Sequence, residues 1–115
     1  MPVKSLGLEG ENMAVKFLKG KGFRILHRNY KTPLGEADII ARDKDATVFI
    51  EVKARSSTRF GGPFEAVDLR KQERLRRIAL WYQKKEGGDL QVRFDVVSIK
   101  LNDNGNMIEH IVEAF

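Results

Sequence analysis

The sequence predicts a mixed α/β domain, a β-sheet flanked by helices, with elements in the order αβββαββ. Three observations carry this. Two segments show the 3.6-residue apolar spacing of helices that bury one face. In the first half of the chain, two short polar turns separate three strand-like runs. A strand–helix–strand unit follows, which favours a parallel, right-handed crossover inside a mixed sheet.

The first helix is expected over 6–19, where Ala14, Phe17 and Leu18 recur at helical spacing and Gly20 and Gly22 stop it. Residues 23–30 read as a strand and Thr32-Pro33-Leu34-Gly35 as a turn. A second strand is expected over 36–42, a polar turn over 43–46, and a third strand, dense in β-branched residues, over 47–53. So short a connection makes these two strands an antiparallel hairpin. A polar, basic loop ends in Gly61-Gly62-Pro63. A long helix then runs from about Asp68, a suitable N-cap, to Lys85, with Leu75, Ile78, Ala79 and Tyr82 as its apolar stripe. Gly87-Gly88 ends it. Residues 91–100 alternate as a fourth strand, and 107–115 are expected to form a fifth after a turn at 102–106.

A chain of 115 residues fits one domain, spanning 1–115, and 42% hydrophobic with 32% charged residues reads as globular rather than disordered. Cysteine is absent, which excludes a disulfide scaffold, a cysteine nucleophile and a Cys-based zinc site. His27 and His110 form no ligand spacing. The N-terminus has no apolar signal core, and no run approaches the roughly 18 apolar residues of a membrane helix, so a cytoplasmic location is expected. Net charge is +5, concentrated in the middle: Lys53 to Arg93 holds eleven Lys and Arg against five Asp and Glu. Such a region attracts polyanions, chiefly nucleic acid; surplus lysines that merely aid solubility are the blander reading.

Chemistry concentrates on the hairpin. Side chains alternate along a strand, so Glu51 and Lys53 point the same way with Cα atoms about 7 Å apart. Val48, Ile50 and Val52 point the other way, into the core. An antiparallel hairpin can set Asp38 opposite Glu51, so that two carboxylates converge beside one ammonium. Mg²⁺ takes hard oxygen ligands of this kind, usually one or two carboxylates with water and phosphate oxygens. A lysine beside it can orient the attacking water. The cluster suits phosphodiester hydrolysis. Glu-x-Lys alone is common by chance; its strand placement, the neighbouring Asp and the basic helix after it give it weight. The competing reading is a cross-strand salt bridge on a solvated sheet face.

Glu11 lies on the apolar stripe of the first helix and should want a partner, a metal or Lys53; a glutamate favoured near a helix N-terminus by the dipole is the alternative. Gln72 sits on the inward stripe of the long helix, three before Leu75 and seven before Ala79. Arg70 and Lys71 occupy that helix's first turn, where cations oppose the dipole, and a broken local rule hints at function. With the backbone amides they could hold a phosphate, or they are solvated charges flanked by Asp68 and Glu73. The loop Arg55-Ser56-Ser57-Thr58-Arg59-Phe60 could grip backbone phosphates, with Phe60 stacking or serving as an anchor. Asp95 stays outside the site, as an edge charge or a structural partner for Arg93.

Gly35-Glu36-Ala37-Asp38-Ile39-Ile40-Ala41, Val48-Phe49-Ile50-Glu51-Val52-Lys53-Ala54-Arg55, Phe60-Gly61-Gly62-Pro63, Lys71-Gln72-Glu73-Arg74-Leu75 and Arg93-Phe94-Asp95-Val96-Val97 together resemble the YraN-like family of bacterial proteins, from about Gly10 to the C-terminus. That family is similar to the restriction-endonuclease-like PD-(D/E)xK nucleases, and within them to archaeal Holliday-junction resolvases. The resemblance implies an αβββαβ core with Asp38, Glu51 and Lys53 as signature triad. It matches Glu11 to the first-helix glutamate of the resolvase-like branch and Gln72 to the polar residue on the helix after the motif. Ala37 stands where the signature proline would be, a position without chemistry of its own.

The resulting expectation is a metal-dependent endonuclease acting on DNA, selective for branched structure. Asp38 and Glu51 would bind one or two Mg²⁺ or Mn²⁺ ions, with the Val52 carbonyl and Glu11 completing the shell. Lys53 would position the water. Gln72, Arg70, Lys71 and the Arg55–Arg59 loop would hold DNA backbone. Cutting a four-way junction would favour a two-fold homodimer. The alternatives are a non-catalytic nucleic-acid-binding adaptor that keeps the nuclease fold, and an RNA-associated basic protein whose acidic cluster is a salt-bridge network.

Overall fold

The structure is a computed structural model that describes residues 3–55 (side chains from 7 onward), 67–101 and 105–115. Its elements are α1 (Val3–Gly20), β1 (Arg24–Thr32), β2 (Gly35–Asp43), β3 (Ala46–Arg55), α2 (Leu69–Glu86), β4 (Gln91–Lys100) and β5 (Met107–Ile111). The five strands form one mixed sheet in sequence order. β1–β2 and β2–β3 pair antiparallel, β3–β4 parallel across the α2 crossover, and β4–β5 antiparallel. This is the expected α/β architecture, compatible with an αβββαβ core.

Each helix covers one face. Ala14, Val15 and Leu18 of α1 pack on Ile39, Ala41, Val48, Ile50, Val97 and Ile99. Leu75, Ile78, Ala79 and Tyr82 of α2 pack on Ile40, Phe49 and Ala37. Strand alternation alone places Val48 and Ile50 in a core, but both faces of β3 are buried. A central strand covered on both sides reads as a continuous apolar run, which is what Val48-Phe49-Ile50 shows. The face that carries Glu51 is therefore covered by α2 and not solvated.

Local chemistry sets the boundaries. The Lys21 and Gly22 amides turn back onto Phe17, Leu18 and Lys19 carbonyls and close α1. Asp68 caps α2, its carboxylate accepting the Lys71 N–H at 2.9 Å. Thr32 braces the β1–β2 tip: its hydroxyl donates to the Gly35 carbonyl at 2.8 Å and accepts the Leu34 N–H at 3.0 Å. Gly10 brings α1 against β3, since a Cβ there would lie 2.5 Å from the Ala54 Cβ.

One element differs from expectation. The fifth strand ends at Ile111, not at Phe115. Glu113 takes a positive φ of 52°, and its N–H leaves the ladder to donate to Asp95 Oδ1 at 3.1 Å. The chain then returns along β4, where the Ala114 N–H donates to the Phe94 carbonyl at 2.8 Å and Phe115 stacks on the Phe94 ring.

Asp95, midway along β4, anchors the β4–β5 edge of the sheet. It is fully buried, accepts from Arg93 Nε and Nη2 at 2.9 Å each, and lies 2.8 Å from His110 Nε2. Arg93 also reaches Asp43 Oδ2 at 2.9 Å. Lys21 Nζ approaches His110 Nδ1 at 2.6 Å. An ammonium can only donate, so Nδ1 accepts and Nε2–H points at Asp95. Burial pushes the Asp95 carboxyl up, but its bonds to His110, Arg93 and the Glu113 amide outweigh that and hold it below the usual range.

Candidate active site

The β2–β3 ladder ends at Ile39 against Ile50, and Asp38 and Glu51 are the next residue on each strand. Glu51 lies on the α2 face by alternation with Phe49, and the charges of Glu51 and Lys71 both act on Asp38. Asp38 is half-buried, and its Oδ2 accepts the Val52 N–H at 2.9 Å. Glu51 is only 8% exposed, and its Oε2 lies 2.6 Å from Lys71 Nζ.

The electrostatics follow from this crowding. Burial, then the Glu51 charge, push the Asp38 carboxyl up to about 7, against the opposing pull of the Val52 amide. The Glu11 charge adds to the rise and Lys71 opposes it. The bond to Glu51 raises the Lys71 ammonium in turn.

The remaining expected residues fall in different places. Glu11 is buried, as expected, and Arg28 and Asn29 hold it. Its Oε1 accepts from Arg28 Nε at 3.2 Å, Arg28 Nη2 at 2.9 Å and Asn29 Nδ2 at 2.9 Å. Lys53 is half-buried two residues beyond Glu51 on the same strand face. Gln72 is half-buried, and its Nε2 donates to the Val67 carbonyl at 2.8 Å, tying down the lead-in to α2. Arg55 ends β3, its carbonyl accepting the Leu101 N–H, and Arg70 is exposed. Arg59 and Phe60 lie outside the described residues. Among the described residues, no three Asp, Glu, His or Cys side chains converge as a ready-made metal cluster.

Lys71 is the residue whose role sequence reasoning misses. Expected on an outer phosphate, it turns inward onto Glu51. A signal is present: Lys71 lies four before Leu75 and seven before Ile78, both buried, so it shares their stripe. Asp95 pairs with Arg93, one of its two expected roles, while its bond to His110 carries no local signal.

Among the described residues, no helix is long and apolar enough to cross a membrane. Residues 10–99 match the family described as Uncharacterised protein family UPF0102. The chain is 46% identical over 115 residues to a UPF0102 protein of Dictyoglomus thermophilum, covering 97% of this chain and 98% of that one. It is 46% identical over 110 residues to one of Thermodesulfovibrio yellowstonii, covering 96% and 95%. It is 45% identical over 113 residues to one of Syntrophomonas wolfei, covering 97% and 98%. The chain therefore belongs to the UPF0102 family, the YraN-like proteins that its motifs resemble.

Proposed function

We propose that this protein is a metal-dependent endonuclease that hydrolyses DNA phosphodiester bonds, with Asp38, Glu51 and Lys53 at its centre. The observation that carries the reading is the Asp38–Glu51 pair. Burial, together with the neighbouring Glu51 charge, pushes Asp38 up to about 7. A charge arrangement this unfavourable on its own is typical of sites built for a cation.

The donor set fits Mg²⁺ or Mn²⁺, because both ligands are hard oxygens and the only histidines lie elsewhere. Asp38 and Glu51 would hold the ion, with the Val52 carbonyl beside them and Glu11 near enough to add its charge. When bound, such an ion lowers the pKa of water and offsets charge building on the phosphorus oxygens. The protein's own groups do the rest. Lys53, on the Glu51 face, orients the attacking water and complements developing negative charge. Lys71, released from Glu51 by a competing cation, is free to meet a phosphate oxygen. Arg70 and Arg55 hold the flanking backbone, and contacts of this kind position a duplex without reading its sequence.

Purified protein is incubated with Mn²⁺ or Mg²⁺ and labelled duplex, single-stranded, flap and four-way-junction DNA, beside Asp38→Asn and Lys53→Ala. The reading predicts cutting that needs the metal and disappears in both variants. Tight DNA binding that survives both substitutions, with no cutting of any substrate, would leave the adaptor in its place.

A further inference from the structure

A groove of about 340 Å³ lies between the β1–β2 tip and the outer face of α2, lined by Leu34, Arg70, Glu73, Arg74 and Arg77. Arg70, Arg74 and Arg77 stand at i, i+4 and i+7, one face of one helix. Glu73 is the single acid lining the groove, 3.8 Å from Arg77. Arg70 and Arg74 have no ion-pair partner among the described residues.

This cation row works against the helix that bears it. Like charges at i, i+4 destabilise a helix, and cations near its N-terminus oppose the dipole. At that end only the N-cap Asp68 offsets them, and it lies beside Arg70 and Lys71, before Arg74 and Arg77. An anion in the groove would relieve both penalties. The row also adjoins the site, because Lys71, next to Arg70, turns under the helix to Glu51.

The groove is held in shape. Gly35 has a φ of 138°, and a Cβ there would lie 2.7 Å from the Arg74 Cδ. The Arg74 stem thus rests on the tip's backbone, leaving its guanidinium at the rim. On the tip itself Leu34 is 43% exposed, although Thr32 bonds brace the turn on both sides of it. A fixed, outward leucine beside a row of guanidinium groups has the chemistry of an apolar wedge set against an unstacked base step.

We propose that this groove carries a DNA strand out of the Asp38–Glu51 site, with Arg74 and Arg77 on successive phosphates and Leu34 against an exposed base face. The protein thereby prefers DNA with an open step (a gap, flap or branch) over continuous duplex. This rests on the nuclease reading above.

The test is fluorescence anisotropy in EDTA across a salt series, with continuous, gapped and branched DNA, using the unaltered protein, the double variant Arg74→Gln/Arg77→Gln, and Leu34→Ser. Glutamine keeps the stem on Gly35. The double variant should bind every DNA about tenfold more weakly and flatten the log–log salt slope by about 2, near 0.9 for each phosphate no longer neutralised. Leu34→Ser should abolish the preference for gapped and branched DNA while binding continuous duplex as before. Unchanged affinities and slope in the double variant would overturn the groove and leave the nuclease site standing. Failure of the unaltered protein to bind any DNA would overturn both.

Discussion

Lys71 Nζ, from the first turn of α2, lies 2.6 Å from Glu51 Oε2 on β3, so a helix-borne cation neutralises one of two neighbouring strand carboxylates. The contact joins the crossover helix to the chemical end of the hairpin.

Lys71→Met should therefore act in two opposite ways. Glu51, at 8% exposure, loses its counter-charge, and the metal-free protein should melt several degrees lower. Divalent cations should bind about fivefold more tightly, because they no longer compete with an ammonium whose half-exposed pair is worth about 1 kcal/mol. Melting curves with and without Mn²⁺ check both effects. The gap in Tm between variant and unaltered protein should narrow as Mn²⁺ is added.

Asp38 makes stability and metal binding depend on pH in opposite directions. Its folded carboxyl is pushed up to about 7 from 3.8. Between those values the folded state holds a proton that the unfolded chain releases, so stability falls as pH rises through this window. Asp38→Asn should remove that fall and melt about 5 °C above the unaltered protein at pH 8 in EDTA. Metal affinity should instead rise with pH up to about 7, because the cation displaces the proton.

Gly10 and Ala54 test the seat of α1 on β3. Gly10→Ala puts a methyl 2.5 Å from the Ala54 Cβ and should destabilise by about 1–3 kcal/mol, the usual penalty of overpacking. Ala54→Gly in the same chain should recover most of that loss. A double variant no more stable than Gly10→Ala alone would mean that the strain lies elsewhere. Urea unfolding of the four proteins measures the coupling directly.

Asp95→Asn should destabilise by about 3–5 kcal/mol, because it leaves Arg93 and His110 without the buried carboxylate they share. Stability contributed by a lowered carboxyl is present above its ordinary range and lost as pH falls. The variant should therefore show a flatter loss on acidification. Its Mn²⁺ affinity should be unchanged, since Asp95, although in register with Ile50, lies on the α1 face of the sheet, opposite the face of Glu51.

The hairpin was legible in the sequence because a short polar turn between two alternating runs fixes the register. With register fixed, Asp38 and Glu51 become neighbours at the end of the ladder, where the Glu51 charge acts on Asp38. The orientation of Lys71 was harder to read. Adjacent helical residues differ by about 100° around the axis, and with residues 56–66 intervening, the strand pattern does not phase the helix. Gln72 satisfied the apolar stripe nearly as well. The Asp95–His110 pair depends on how β5 lies along β4, which no local spacing encodes. The early end of β5 depends on the same pair, through the Glu113 amide.

The most direct measurement is calorimetric titration of Mn²⁺ into the metal-free protein at pH 8, beside Asp38→Asn and Glu51→Gln. A site built on this carboxylate pair predicts one or two ions per chain, with affinity reduced by at least tenfold in each variant. No binding by the unaltered protein, or binding indifferent to both substitutions, would contradict it.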